Sequence, residues 1–333
     1  MKKYKAYGIG AALVDTEIKV LDAELARMNV DKGLMTLVDE VRRRELLDHL
    51  AGHLVKASHA SGGSAGNSMI ATAQFGGPTF MSCKVAQDSD GDIYIADLEA
   101  AGVDHCLKAD RAPGTTGKCL VLITPDAERS MNTYLGISET LSTEQLDAHA
   151  IAASEYVYIE GYLVTSPTGR AAAIRAREIA EAAGVKTALS FSDPGMVEHF
   201  RDGIAAIIGA RLDLIFCNED EALGWAQSDD LNAAVEKLKA VANTFVITRG
   251  GEGALVFDGR QLAEIPPHKV EAVDSNGAGD MFAGAFLYAI TRGEDFPTAG
   301  RFASLAAGKV VANYGPRLPA ADYGALRREF FGD

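Results

Sequence analysis

From position 156 to 248 the chain alternates short apolar runs with longer amphipathic stretches, and this rhythm limits the possible folds more than any other feature. The runs at 156–159, 186–191, 212–217 and 244–248 are too short for buried helices and read as strands. The stretches at 167–183, 196–208 and 219–241 have helical spacing. Parallel strands need crossovers of about a dozen residues or more, which these stretches supply. The expectation is an α/β protein whose mainly parallel sheet is covered by helices on both faces.

The remaining chain fits around that sheet. Residues 4–14 read as a buried first strand, 16–36 as a hairpin or flap, and 39–54 as a helix with an acidic start. A small-residue loop at 58–67 precedes a helix at 68–75, followed by a strand at 79–85 and a helix at 93–101. Runs at 117–124 and 130–135 alternate like paired strands, and 268–273 alternates like one more strand. Helical patterns at 296–313 and 320–330 close the chain. With no repeats and no Pro-rich linker, we expect one domain over 1–333, bearing a small β lid built from insertions at about 12–38 and 105–135.

Charge and composition then exclude partner classes. A net charge of −14 disfavours nucleic acid or an anionic membrane, since both attract clustered Lys and Arg. No apolar run reaches the roughly 20 residues that span a bilayer. The start, Met1-Lys2-Lys3, resembles a signal peptide only until Asp15 ends the apolar run. Cys83, Cys106, Cys119 and Cys217 are scattered, as reduced thiols of a cytoplasmic protein would be. Small molecules are the expected partners of a monomer or homodimer.

Chemistry concentrates in three glycine-rich or acidic turns. Asp274-Ser275-Asn276-Gly277-Ala278-Gly279-Asp280 follows the 268–273 run and opens a helix, so its amides and the helix dipole would favour an anion. Gly277 and Gly279 allow close approach, and Asp280 stands where a carboxylate could take a proton from a hydroxyl. Asn218-Glu221 follows another strand, as a helix cap or as a phosphate and Mg2+ site. Residues 248–253 follow a third, as a plain hairpin or as a turn that approaches a ligand. All three fall on one sheet edge, where open α/β sheets bind ligands.

Other motifs fail on spacing. Gly8-Ile9-Gly10-Ala11-Ala12-Leu13 lacks the third glycine of a dinucleotide fingerprint, and no Gly-x-x-x-x-Gly-Lys-Ser/Thr occurs. His49 and His53 share a helical face without the intervening Glu of a zinc motif. Gly62-Gly63-Ser64-Ala65-Gly66 matches a nucleophile elbow, with Asp193 and His268 in hydrolase order, although 56–60 makes a poor strand before it.

Taken in order, Gly62-Gly63-Ser64-Ala65-Gly66-Asn67, Asn218-Glu219-Asp220-Glu221 and the 274–280 turn resemble the signatures of the ribokinase (PfkB) family of sugar and nucleoside kinases. Ser275 stands where the family usually has Thr. The resemblance implies a ribokinase-like three-layer sandwich and an ATP- and Mg2+-dependent kinase, with a monovalent cation such as K+ as a further candidate. It implies Asp280 as base and Gly277, Ala278 and Gly279 as anion hole. Asp15, Gly63 and Asn67 would bind acceptor hydroxyls. Asn218, Glu221, Thr248, Gly250, Gly253, Ser275 and Asn276 would serve the nucleotide, with Glu221 reaching Mg2+ through water. Residues 128–136, 158–163 and 189–194 look most similar to the adenosine kinase branch, in which Arg129 would reach phosphates and Tyr162 would flank the base. The 5′-hydroxyl of adenosine is then the implied acceptor, with ribose, fructose or a 2-keto-3-deoxy sugar acid as the alternative. That branch commonly has Asn at the position of Ala11. A serine hydrolase using Ser64 and a non-catalytic nucleoside-binding protein stand as readings from other classes.

Overall fold

In the computed structural model, which describes residues 2–52, 59–107 and 110–333, the strand and helix rhythm becomes a nine-stranded sheet with helices on both faces. In chain order the strands are β1 (Tyr4–Ile9), β2 (Leu13–Lys19), β3 (Met35–Leu37), β4 (His59–Gly62), β5 (Thr79–Ser82), β6 (Val103–His105) and β7 (Gly117–Ile123). They continue with β8 (Arg129–Tyr134), β9 (Ser154–Glu160), β10 (Lys186–Ser190), β11 (Leu212–Asn218), β12 (Ala242–Thr248), β13 (Ala254–Phe257) and β14 (Leu262–Ile265). The large sheet has the order β14-β13-β12-β11-β10-β9-β1-β5-β6. It is parallel from β12 to β6, and β13 and β14 are antiparallel at one edge. Succession reverses between β1 and β9, which opens a crevice at the strands' carboxyl ends.

Both faces of the sheet are apolar. Along β11, Leu214 and Phe216 join one core while Ile215 and Cys217 join the other, the period-two alternation of a strand covered on both sides. Helices Ser64–Gln74, Ala278–Arg292 and Phe296–Val311 cover the first face, and Pro167–Ala182, Arg201–Ile208 and Leu231–Val241 cover the second. Gly284 sets how closely the first two of these approach. A Cβ there would lie 2.5 Å from the Ser68 carbonyl oxygen. The Thr72 hydroxyl donates to the Gly284 carbonyl at 2.9 Å and locks the contact.

A second, five-stranded sheet, β3-β8-β7-β2-β4, leaves the first at the end of β1. The expected continuous strand at 4–14 therefore breaks, and Gly10 to Ala12 carries the chain from one sheet to the other. The 117–135 pairing is the antiparallel β7–β8 hairpin. The 16–36 region contains the rest of β2 and a short helix, Asp22–Arg27, with β3 after it.

Three local expectations change. Residues 59–62 form β4, antiparallel to β2, and the next helix begins at Ser64 rather than 68, so Gly63 to Asn67 belongs to a helix start. Residues 268–273 form no strand. Pro266 and Pro267 have no N–H to give a ladder, and 268–272 are exposed; β14 lies earlier, antiparallel to β13. The helix expected to end at 54 is described over Glu40–His49, while Leu54, His53 and 56–58 lie outside the described residues. Among the described residues no helix is long and apolar enough to cross a membrane.

Candidate active site

A cavity of about 700 Å³ lies between the carboxyl ends of the large sheet and the inner face of the small one. Asp15, Arg129 and Met131 line it from the small sheet, and Tyr162, Asp193, Asn218, Thr248 and the 275–280 turn line it from the large one. The small sheet reaches across to the far wall at two places. The Asn276 amide nitrogen donates to Glu17 Oε1 at 3.1 Å, and the Met35 N–H donates to Asp193.

The 274–280 turn is held from behind. Asp274 is fully buried and accepts the Asn276 N–H at 2.8 Å and the Gly315 N–H at 3.0 Å. Gly277 adopts φ 72°, and a Cβ there would collide with the Pro316 carbonyl, so this position needs glycine twice over. Helix Ala278–Arg292 begins with no side-chain cap. Among the described residues the amides of Gly277, Gly279 and Asp280 donate to no protein oxygen. A Cβ on Gly279 would meet nothing within 4 Å, since it faces the open cavity. Free amides, an open approach and a helix dipole together make an anion cradle.

Asp280 sits beside the cradle with both oxygens held. The Ser64 hydroxyl donates to Oδ1 at 2.7 Å and the Asn67 amide to Oδ2 at 3.0 Å. It lines the cavity, and desolvation by burial raises its pKa above 3.8 against the lowering effect of these two donors and Arg129. Asp15 lies in the same chamber, pushed up to about 7 by burial and then by Glu17, while Arg317 and Arg129 oppose the shift. Gly62 leaves room for that carboxylate, since a Cβ there would strike it. Asn67 Oδ1 is buried with no partner among the described residues. Arg129 has no carboxylate within ion-pair distance among the described residues, yet its field acts on Asp280, Asp15, Asp193 and Glu221.

At the other end, Asn218 and Glu221 cap their helix reciprocally. The Glu221 N–H donates to Asn218 Oδ1 at 2.7 Å, and the Asn218 N–H to Glu221 Oε2 at 2.9 Å. Both also line the cavity, so capping and ligand access coexist. Thr248 pairs with Asn218 in register, and Arg249 beside it meets Glu219 at 2.9 Å. Thr248 and Gly250 line the cavity but Gly253 does not. Gly253 has φ 90°, and a Cβ would collide with the Ile265 carbonyl, so its glycine shapes the β12–β13 hairpin. Tyr162 lines the wall, its hydroxyl donating to the Ser192 carbonyl at 3.1 Å.

Burial raises Glu221 from an ordinary 4.5 to about 8, with Asp193 adding to the shift. The unfolded chain loses this proton near 4.5 and the folded chain near 8, so the folded state binds more protons in between. Stability should therefore fall as pH rises from about 4.5 to about 8. Urea denaturation series of the wild type and Glu221→Gln across that window test this, and the variant should lose that part of the slope.

The elbow-like Gly62–Gly66 segment does follow a strand, β4, contrary to the weak strand expected there. Its Ser64 nevertheless pairs with Asp280, and among the described residues no histidine lines the cavity. His268 instead lies against Gly308, its N–H on the Ser304 hydroxyl. Among the described residues no hydrolase triad is assembled around Ser64. Spacing alone missed Glu160, Glu17 and the Ser64–Asp280 pair. For Glu160 a signal existed in an acid ending the apolar run of β9.

A family model described as pfkB family carbohydrate kinase matches residues 30–322. The chain belongs to that family. Among its relatives is an adenosine kinase of Saccharomyces cerevisiae, 27% identical over 94% of this chain and 96% of that one. The crystal structure of adenosine kinase from Sinorhizobium meliloti aligns with TM-score 0.92 at 34% identity, covering 98% of this chain and 99% of that chain. A probable sugar kinase protein from Rhizobium etli aligns with TM-score 0.92 at 33% identity, covering 99% of both. This pfkB-family kinase is a phosphotransferase acting on an alcohol group, and ATP is the family's donor. Its fold is the ribokinase-like sandwich. Among the described residues no three Asp, Glu, His or Cys side chains form a metal cage. Mg2+ commonly uses one or two carboxylates with waters and phosphates, and Glu221, which lines the cavity, offers that chemistry.

Proposed function

We propose that this kinase phosphorylates the 5′-hydroxyl of a nucleoside, with adenosine as the preferred acceptor. The observation that carries the proposal is the pairing of Asp280, held by Ser64 and Asn67, with the free amides of Gly277 and Gly279 at one end of a cavity covered by the small sheet. Asp280 accepts the hydroxyl proton as the oxygen attacks the γ-phosphorus and the bond to the bridging oxygen of the diphosphate breaks. The free amides of Gly277 and Gly279 take up charge on the equatorial oxygens, joined by that of Ala278 once it leaves its 3.3 Å bond to the Ser275 carbonyl. Asp15, Gly63 and Asn67 orient the sugar hydroxyls, and Arg129 faces the phosphates. Asn218, Thr248, Gly250, Ser275 and Asn276 would border the nucleotide, and Glu221 would hold Mg2+ through water. ATP with Mg2+ supplies the phosphoryl group and neutralises its oxygens. The small sheet acts as a lid that excludes water. Four free cysteines suit a reducing, cytoplasmic setting.

A nucleoside is favoured over a free sugar by the cavity wall. Leu13, Met35, Leu37, Met131 and Tyr162 give an apolar surface that a base would cover and a sugar would leave wet. A coupled ADP-release assay over nucleosides and sugars tests this. Adenosine should exceed ribose and fructose in kcat/KM by about 10²-fold or more. Equal or faster turnover of a free sugar would move the assignment to a sugar kinase.

A further inference from the structure

We infer that Glu160 is a positioning residue for phosphoryl transfer, whose carboxylate clamps the turn after β1 to the helix start that holds both oxygens of Asp280. Its side chain is 1% exposed. Oε2 accepts the Ala65 N–H at 2.8 Å and Oε1 accepts the Ala11 N–H at 3.1 Å. Helix Ser64–Gln74 has glycine at its N-cap and no side-chain cap of its own, so Glu160 satisfies one of its first amides from another strand. Ser64 and Asn67, flanking Ala65 in that first turn, are the two donors to Asp280. Gly10 is bare where the carboxylate passes, and a Cβ there would collide with Oε2.

This is a costly way to cap a helix. Among the described residues no cation pairs with Glu160, and the titratable groups facing it are Asp280, Tyr94 and Cys83. A buried acid with no counter-charge is expensive, and a serine at the N-cap would satisfy the helix more cheaply. What the acid adds is a link between two segments. One is the β1 turn, which leads into Asp15 on β2; the other is the helix turn behind Asp280. Burial, partly offset by the two amides, raises Glu160 to about 7, so the clamp is half protonated close to neutrality. A protonated acid accepts the two amides poorly.

The inference rests on Asp280 acting as the base, and the experiment separates the two. Glu160→Gln keeps the shape but turns an NH2 group toward one of the amide donors. Its kcat should fall about 10- to 100-fold, as a misplaced reacting group costs, with KM for ATP within about 2-fold. The acid limb of its kcat profile should shrink near 7, leaving the share that Asp15 contributes there. Gly10→Ala puts a methyl against Oε2 and also 2.7 Å from the Ala65 Cβ, so it disturbs the clamp at the carboxylate and at the helix start together and should reproduce the kcat loss. The double variant should then be little worse than either single one. A folded Glu160→Gln with wild-type kcat and acid limb overturns the inference. If circular dichroism shows that variant unfolded, Gly10→Ala decides alone, and wild-type kinetics there overturn it too. Asp280→Asn, assayed alongside, reports on the base itself. Its retention of activity would sink the functional reading, whereas its loss beside an unaffected Glu160→Gln would sink only the clamp.

Discussion

Asp280→Asn should lose about 10³-fold in kcat while folding normally, since removing a general base typically costs 10²- to 10⁴-fold. The new amide would place an NH2 where the Asn67 NH2 now donates. Asn67 can turn its own amide over, because its Oδ1 has no partner to give up among the described residues. Ser64 can still donate to the remaining oxygen. Thermal melts should consequently show little change, and KM for the acceptor should move far less than kcat. The pH profile carries a second signature. Asp280 must be ionised to accept a proton, and burial raises its pKa above 3.8, so wild-type kcat/KM should decline on the acid side at a pH above the ordinary aspartate range. In the Asn variant the Asp280 share of that limb should be absent, leaving what Asp15 and Glu160 contribute near 7. Activity within about ten-fold of wild type, with the limb intact, would remove Asp280 from the chemistry.

The second large effect separates two glycines two positions apart. Gly279→Ala adds a methyl that meets no protein atom within 4 Å, in the first turn of a helix. Alanine is the better helix former by about 0.5–1 kcal/mol, so stability should hold or rise slightly. The methyl, however, occupies the space from which an anion would reach the free amides, and kcat/KM should drop by about 10²-fold, the scale of a lost oxyanion donor. Gly277→Ala behaves differently. It forces a side chain into φ 72° and against the Pro316 carbonyl, so it should lower the melting temperature as well as activity. Equal melting temperatures for both variants, or full activity for Gly279→Ala, would contradict the cradle.

How far the sequence reveals this arrangement depends on whether the needed information is local. The four apolar runs between 156 and 248 became β9 to β12 because buried parallel strands carry their signal in their own composition. The 274–280 segment was equally legible as a turn that opens a helix, since its glycines set the backbone where they stand. The run at 268–273 misled because alternation says nothing about ladder donors, and Pro266 and Pro267 precede it without N–H groups. β4 was missed because its pairing with β2 comes from a distant strand. Gly253 resembled a phosphate glycine, but its φ of 90° serves a hairpin, which only the Ile265 carbonyl makes apparent. Glu160, Glu17 and Ser64 find their partners across 149, 259 and 216 positions of chain, beyond any periodicity.

Strand β2 carries Asp15 and Glu17 two residues apart, hence on one side of the sheet. Asp15 lines the cavity, and Glu17 accepts from Asn276 in the 274–280 turn. Two residues of strand span about 7 Å, so under the proposed function β2 would act as a ruler between the acceptor and the anion cradle. An acceptor gripped by Asp15 would present its hydroxyl at a fixed distance from the cradle. Molecules longer or shorter by one carbon would bind and yet be phosphorylated slowly.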